Sequence, residues 1–310
     1  MTPLPNHVIG SIRKIDTCCW LIGGRLMLCR QSSPSPSYPT WTDEEGGFFV
    51  LLDAPNPVPE SKVSPEDTLD FQPKGHHSES LPQSVGLVYT AGSGAAVWRA
   101  GSAFIKIHYL SGDFEEQPLS FDVPNVLYHG EWDNRYYIVL TRVPGQTLAE
   151  AWPTIGEAVR QYYVGRVAEI CMTMAEWIGD AISGVDGKEL GDAILAKNDK
   201  LESFAPQRML EHCTRMGMDT SKLVFYHSDL GPGNILVDPA TRTLSIIDWE
   251  TAGYVPKEWV RTKFHLFSGM DFPNGAEGSR SDWRRLVGHR LADLGFPEVI
   301  DGWLESGRMV

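Results

Sequence analysis

The stretch VFYHSDLGPGNILVDPATRTLSIIDWETAGYVPKEWVRTK, residues 224–263, decides how this chain is read. An apolar run over 223–226 ends at His227-Ser228-Asp229, and a Gly/Pro loop follows. Asn234 then opens a short apolar run, 235–237; a turn over 238–243 leads to a second, 244–247, which delivers Asp248. This pattern predicts a hairpin with polar groups gathered at its mouth. Phosphoryl transfer needs such a cluster. One carboxylate orients and deprotonates an attacking hydroxyl, while an amide oxygen and a second carboxylate hold Mg²⁺ against the phosphates. A His-Asp turn by itself would equally cap an ordinary hairpin; the added Asn234 and Asp248, each at a strand end, favour the chemistry.

These residues resemble the aminoglycoside phosphotransferase and choline-kinase-like superfamily, relatives of the protein kinases, in the versions common in filamentous fungi. His227-x-Asp229 with Asn234 is similar to that family's catalytic loop, and Ile247-Asp248-Trp249-Glu250 to its metal-binding motif. Ala252-Gly253-Tyr254, Pro256 and Trp259 continue the likeness. The resemblance implies an α+β, two-lobed protein-kinase-like fold, with a β-rich nucleotide lobe over 1–143 and a mostly helical lobe over 144–310. It implies Asp229 as the base, His227 as a residue that organises the loop, and Asn234 and Asp248 as Mg²⁺ ligands.

Upstream, VYTAGSGAAVWRAGSAFIKI (88–107) reads as strands around a small-residue turn. The backbone of Gly92, Ser93 and Gly94 can approach phosphates closely, though a Gly-Ser-Gly turn also serves a plain hairpin. Lys106 lies on an alternating strand with Phe104 and His108 on its face and Ile105 and Ile107 on the other. A strand lysine is often just solvated; by resemblance, Lys106 holds the α/β-phosphates of ATP. Residues 139–148 (VLTRVPGQTL) resemble the family's hinge, where backbone groups of Thr141 to Val143 would meet the adenine edge. One departure stands out. The family's strand lysine is normally followed by a helix whose glutamate pairs with it, but here only 17 residues, IHYLSGDFEEQPLSFDV, separate Lys106 from Pro124. Glu115 and Glu116 alone could pair with Lys106, within a short turn or stub helix.

Further outward, 17–21 and 25–30 around Gly23-Gly24 predict a hairpin, and 47–52 (GFFVLL) a buried strand. QSSPSPSYPT (31–40) and the proline-punctuated 53–82 predict irregular chain. Strands are expected over 85–89, 96–100, 103–107 and 136–141. From 148 to 182 the apolar spacing turns helical and predicts one long amphipathic helix.

The formal net charge of -13 argues against a nucleic-acid partner, whose binding face needs clustered Lys and Arg. Five cysteines, an odd number without a Cys-x-x-Cys pair, suggest free thiols and no zinc site. Neither a leader pattern nor a bilayer-spanning apolar run is present, so a cytoplasmic protein without a membrane partner is expected. The expected function is transfer of the ATP γ-phosphate to a small-molecule hydroxyl. The alternative is a kinase-like fold that binds a nucleotide, ligand or partner without transfer. Asp271, Glu277 and Asp282 could recognise an amine on the acceptor, or be ordinary solvated acids.

Overall fold

The computed structural model describes residues 8–61, 85–91, 94–109, 121–196, 204–272 and 280–306. Contacts divide the chain into two units, Met1–Leu110 with Pro124–Arg142, and Ser111–Val123 with Val143–Val310.

The described residues of the first unit form two antiparallel sheets. β1 (Ile12–Lys14), β2 (Cys19–Ile22), β3 (Leu26–Gln31), β4 (Thr40–Thr42) and β5 (Phe48–Asp53) pair in the order β1-β2-β3-β5-β4. β6 (Gly86–Ala91), β7 (Ala95–Ala100), β8 (Ala103–Tyr109), β9 (Val126–Trp132) and β10 (Arg135–Thr141) pair in the order β6-β7-β8-β10-β9. Gly23 and Gly24 both adopt positive φ (56° and 70°), the requirement of the tight turn that closes β2 on β3. Alternation then sends one face of each sheet into a common core: Trp20, Leu28 and Phe49 from the first, Trp98, Ile105, Ile107 and Tyr137 from the second. Each such side chain stabilises the sandwich by about 1.5–3 kcal/mol through apolar burial. Trp41 donates Nε1–H to the Ala100 carbonyl oxygen at 2.7 Å, a polar tie between the sheets.

Two sequence expectations change here. Cys19 and Cys29 face each other directly across β2 and β3, with Cα atoms 4.3 Å apart, and form a disulfide; Cys18, Cys171 and Cys213 are free. Hairpin register, which an odd cysteine count does not reveal, brings the pair together. β9 was not expected at all: its residues carry no clean alternation, and pairing with β10 makes the strand.

Among the described residues, the second unit holds six α-helices and two small sheets. β11 (Gln146–Thr147) pairs with the hairpin of β15 (Ile235–Asp238) and β16 (Thr243–Ile246). β12 (Ile178–Gly179), β14 (Leu223–Tyr226), β17 (Gly253–Pro256) and β13 (Ser183–Gly184) form the other sheet in that order. The helices are α1 (Leu148–Ala151), α2 (Glu157–Met174), α3 (Pro206–Arg215), α4 (Lys257–Leu266), α5 (Asp282–Asp293) and α6 (Ile300–Ser306).

The expected single helix over 148–182 is therefore corrected to two. Thr147 and Glu150 close a capping box on α1, the chain turns over 152–156 through Pro153, and Gly156 caps α2. After Met174 the chain turns again into β12, so Ile178, read as part of an apolar helix face, stands exposed on an edge strand. Tyr163, Val167, Ile170 and Met174 of α2 pack with Trp259, Phe264, Trp283 and Leu291 in the core of this unit. Among the described residues no helix is long and apolar enough to cross a membrane.

Candidate active site

β14 carries four buried residues, Leu223 to Tyr226, and ends at His227 inside the second unit. Ser228 takes a left-handed turn (φ 64°) that sets Asp229 beyond the strand end. His227 is fully buried. Its Nε2 donates to the Ile247 carbonyl oxygen at 3.0 Å, and its Nδ1 accepts the Asp229 backbone N–H at 3.2 Å. A ring donating from Nε2 and accepting at Nδ1 is neutral imidazole in one tautomer. His227 thus ties the loop bearing Asp229 to the strand end bearing Asp248, and Thr251 adds a hydroxyl bond to the His227 carbonyl oxygen at 3.1 Å.

Asn234 completes the loop. Its Nδ2 donates to both the carbonyl oxygen and the Oδ2 carboxylate oxygen of Asp229, each at 2.9 Å. The Ile247 N–H bonds the Asn234 carbonyl oxygen at 3.0 Å, joining the two arms of the hairpin at its mouth. Asp248 sits in the left-handed region (φ 66°, ψ 59°), which is costly for a residue with a Cβ and persists only where neighbours enforce it. The enforcers are visible. The Trp249 indole donates to the Ile246 carbonyl oxygen at 3.1 Å and stacks between Phe121 and Phe225, with ring centroids 5.9 and 6.2 Å away. The Ile246 N–H in turn bonds the Asp122 carbonyl oxygen at 3.1 Å.

Burial pushes the Asp229 carboxyl above its ordinary value; the Lys263 ammonium pulls it down, and the Asp248 carboxylate pushes it further up. Two carboxylates that repel each other, with an amide oxygen between them in sequence, form a hard oxygen donor set of the kind Mg²⁺ takes. Because the Asn234 nitrogen is spent on Asp229, its amide oxygen is the end left for a metal. The residues present fit the ion.

Asp192 and Lys263 were not among the expected site residues. Their ion pair joins a loop to α4 across 71 positions of sequence, and only the four-residue spacing of Trp259 and Lys263 on one helix face hinted at it.

In the first unit, Lys106 stands on β8 with Phe104 on the face opposite Ile105 and Ile107, which enter the sandwich core. Gly94 is described in the turn before β7; Gly92 and Ser93 lie outside the described residues, as do Glu115, Glu116 and Glu277. The Thr141 N–H is bonded to the Asn125 carbonyl oxygen at 2.9 Å, and that of Arg142 to the Ser102 carbonyl oxygen at 2.8 Å. Those two amides are therefore occupied by bonds within the first unit. Of the acids considered for an amine, Asp271 is ion-paired with Arg284, and Asp282 with Arg285 at 2.8 Å.

Residues 108–256 match the model of the phosphotransferase enzyme family. The aminoglycoside 3'-phosphotransferase of Streptomyces fradiae is 29% identical over 139 residues, covering 41% of this chain and 51% of that protein. The aminoglycoside 3'-phosphotransferase of Streptomyces ribosidificus is 27% identical over 138 residues, with the same coverage. The chain thus spans about half the length of the curated relatives it matches. Among solved structures, aminoglycoside-3'-phosphotransferase of type VIII aligns with a TM-score of 0.45 and 15% identity, covering 76% of this chain and 94% of that one.

Proposed function

Because residues 108–256 match the model of the phosphotransferase enzyme family, we propose that the chain transfers the γ-phosphate of ATP to a hydroxyl of a small-molecule acceptor. The observation that carries this reading is the pair of hydrogen bonds that Asn234 donates to Asp229, made at the mouth of the hairpin that delivers Asp248. Asp229 is then the general base. Its Oδ2 is held by Asn234, which leaves Oδ1 to accept the proton of the incoming hydroxyl. Asn234 and Asp248 are the residues that would hold Mg²⁺, which when bound neutralises charge on the phosphates. His227 neither gives nor takes a proton in this scheme; its tautomer keeps the two strand ends in register.

Lys106, with the backbone around Gly92, Ser93 and Gly94, is proposed to hold the phosphates, and Thr141 to Val143 to flank the adenine. The acceptor contacts are proposed to come from the second unit. With Asp271 and Asp282 already paired to arginines, hydroxyl and apolar groups of the acceptor gain weight over an amine.

Two measurements test the proposal. A thermal shift with ATP in Mg²⁺, set against ATP in EDTA, reports metal-dependent nucleotide binding, because a ligand of the native state raises apparent stability. A screen of hydroxyl-bearing metabolites for ADP release then identifies the acceptor. Binding without ADP release for any acceptor would leave a nucleotide-binding protein in place of an enzyme.

A further inference from the structure

The hairpin of β2 and β3 turns at Gly23-Gly24 and is open at its other end, where Cys19 stands opposite Cys29. Their Cα atoms are 4.3 Å apart and their sulfurs are bonded. A third sulfur belongs to the same place. Successive residues of a strand point to opposite faces, so Cys18 in a continuous strand would turn away from Cys19. Asp16 prevents this by bending the chain just ahead of β2. Its Oδ1 accepts the N–H of Cys18 at 2.9 Å and that of Cys19 at 2.8 Å, and the Cys18 thiol donates to the same oxygen at 3.3 Å. A carboxylate oxygen of Asp16 and the sulfurs of Cys18 and Cys19 all lie within 4.8 Å of one another.

Cys29, bonded to Cys19, brings a fourth donor with it. Cys18 is exposed and the other three residues are half-buried, so the group is open to solvent on one side. On the other it is backed by the apolar cluster of Ile15, Leu21 and Met27. Donor atoms on one tetrahedral zinc, at about 2.3 Å for sulfur and about 2.0–2.2 Å for a carboxylate oxygen, stand about 3.5–4 Å apart. Asp16, Cys18 and Cys19 are thus within about 1 Å of that spacing before any ion binds. Cysteine spacing alone argued against zinc; the bend and the hairpin register gather three sulfurs all the same.

We propose that the open end of this hairpin has two alternative closures: the Cys19–Cys29 disulfide in the oxidised chain, and a Zn²⁺ ion held by Cys18, Cys19, Cys29 and Asp16 in the reduced one. The exchange balances. A dithiol gives two electrons and two protons to the S–S bond, which breaks into two thiols while the dithiol closes to its own disulfide. Zn²⁺ then displaces the protons of the three thiols to solvent and takes three thiolates and one carboxylate oxygen. A sulfur-rich set selects Zn²⁺ over Mg²⁺, which separates these ligands in chemistry from Asn234 and Asp248. Nothing in the exchange depends on phosphotransfer.

The test uses the full chain, reduced with a phosphine and moved to oxygen-free buffer. Titrated with Zn²⁺ against a chromophoric chelator, it should bind one ion per chain, and Cd²⁺ should raise the ultraviolet absorption of a sulfur-to-metal charge transfer. Cys18→Ser and Cys29→Ser should each weaken Zn²⁺ binding by at least about 10- to 100-fold, the cost of losing even a residue that only supports a ligand. Circular dichroism of the oxidised Cys18→Ser chain, which keeps its disulfide, checks the fold. The oxidised wild type, left with Asp16 and Cys18, should bind no better than the variants, and Zn²⁺ should raise the melting temperature of the reduced chain alone. No Cd²⁺ absorption, wild-type Zn²⁺ affinity in both variants, or equal affinity of the oxidised and reduced wild type overturns the proposal and leaves a plain cross-strand disulfide. Should the variants not fold, iodoacetamide labelling of the reduced wild type with and without Zn²⁺, mapped by mass spectrometry, decides the matter. Joint protection of Cys18, Cys19 and Cys29 by Zn²⁺ supports the site, and equal labelling overturns it.

Discussion

One nitrogen of Asn234 grips Asp229 twice, at its carbonyl oxygen and at Oδ2, both 2.9 Å away. A single side chain therefore sets the conformation of the loop and the rotamer of its carboxylate together. Asn234→Ala removes both bonds and the proposed metal oxygen. We predict a kcat at least about 100-fold lower, in the range expected for a positioned base that has lost its orientation. Steady-state ADP release checks this, with circular dichroism to show that the fold survives.

Asp229 and Asp248 should separate cleanly by assay. Asp229→Asn should lower kcat by about 10²–10⁴-fold with little change in nucleotide affinity. Asp248→Asn should weaken ATP binding in Mg²⁺ far more than in EDTA, since an amide brings no charge to the metal. Calorimetric titrations of both variants, with and without Mg²⁺, read the difference. Equal affinities for wild type and Asp248→Asn in Mg²⁺ would remove Asp248 from the metal site.

Gly101 turns β7 into β8 with φ 57°, and a Cβ there would fall 2.3 Å from the Thr42 carbonyl oxygen. Both the dihedral and the contact forbid a side chain. Gly101→Ala should destabilise the first unit by about 1–3 kcal/mol, from left-handed strain plus the forced shift of β4. Urea unfolding monitored by tryptophan fluorescence would show the loss, and an unchanged midpoint would mean that the two sheets are not joined as described.

Asp43 gives the same unit a pH dependence. Its carboxylate accepts the N–H groups of Glu45 at 2.8 Å and Gly47 at 2.7 Å, and Arg30 Nε at 2.5 Å. Burial alone would raise the carboxyl; the backbone bonds and Arg30 outweigh it and hold the carboxyl below its ordinary 3.8. A carboxyl depressed in the folded state contributes stability that is present above 3.8 and lost as pH falls through its folded value. Asp43→Asn should lower the melting temperature at pH 7 and flatten its decline below about pH 4. A variant whose acid limb matches that of the wild type would show that other carboxylates set it.

The legible part of this chain was the part written in contiguous residues. His227, Asp229, Asn234 and Asp248 fall within 22 positions, on two strands and the turns that end them, so spacing alone brought them together. The strands around Lys106 were equally plain, because β-branched and aromatic residues alternate there. What escaped was non-local. Apolar spacing ran on past Pro153 and Gly156, so one helix was expected where two stand. β9 exists only through β10, the Cys19–Cys29 bond only through hairpin register, and the Asp192–Lys263 pair only through the packing of α4. In each case the deciding partner is far away in sequence or lies across a ladder, where a one-dimensional pattern carries no trace of it.

The sheet of β1 to β5 has a practical corollary for anyone who cuts this gene. The family match begins at residue 108, one position before β8 ends, so a fragment trimmed to that boundary would discard most of β8 and every strand before it. Even a gentler truncation that kept β6 onward would leave Trp98, Ile105, Ile107 and Tyr137 without the layer that shields them. Such a fragment presents a continuous greasy plane next to an open strand edge, a recipe for clumping in the test tube. Residues 12–53 are therefore half the wall of the unit that carries Lys106.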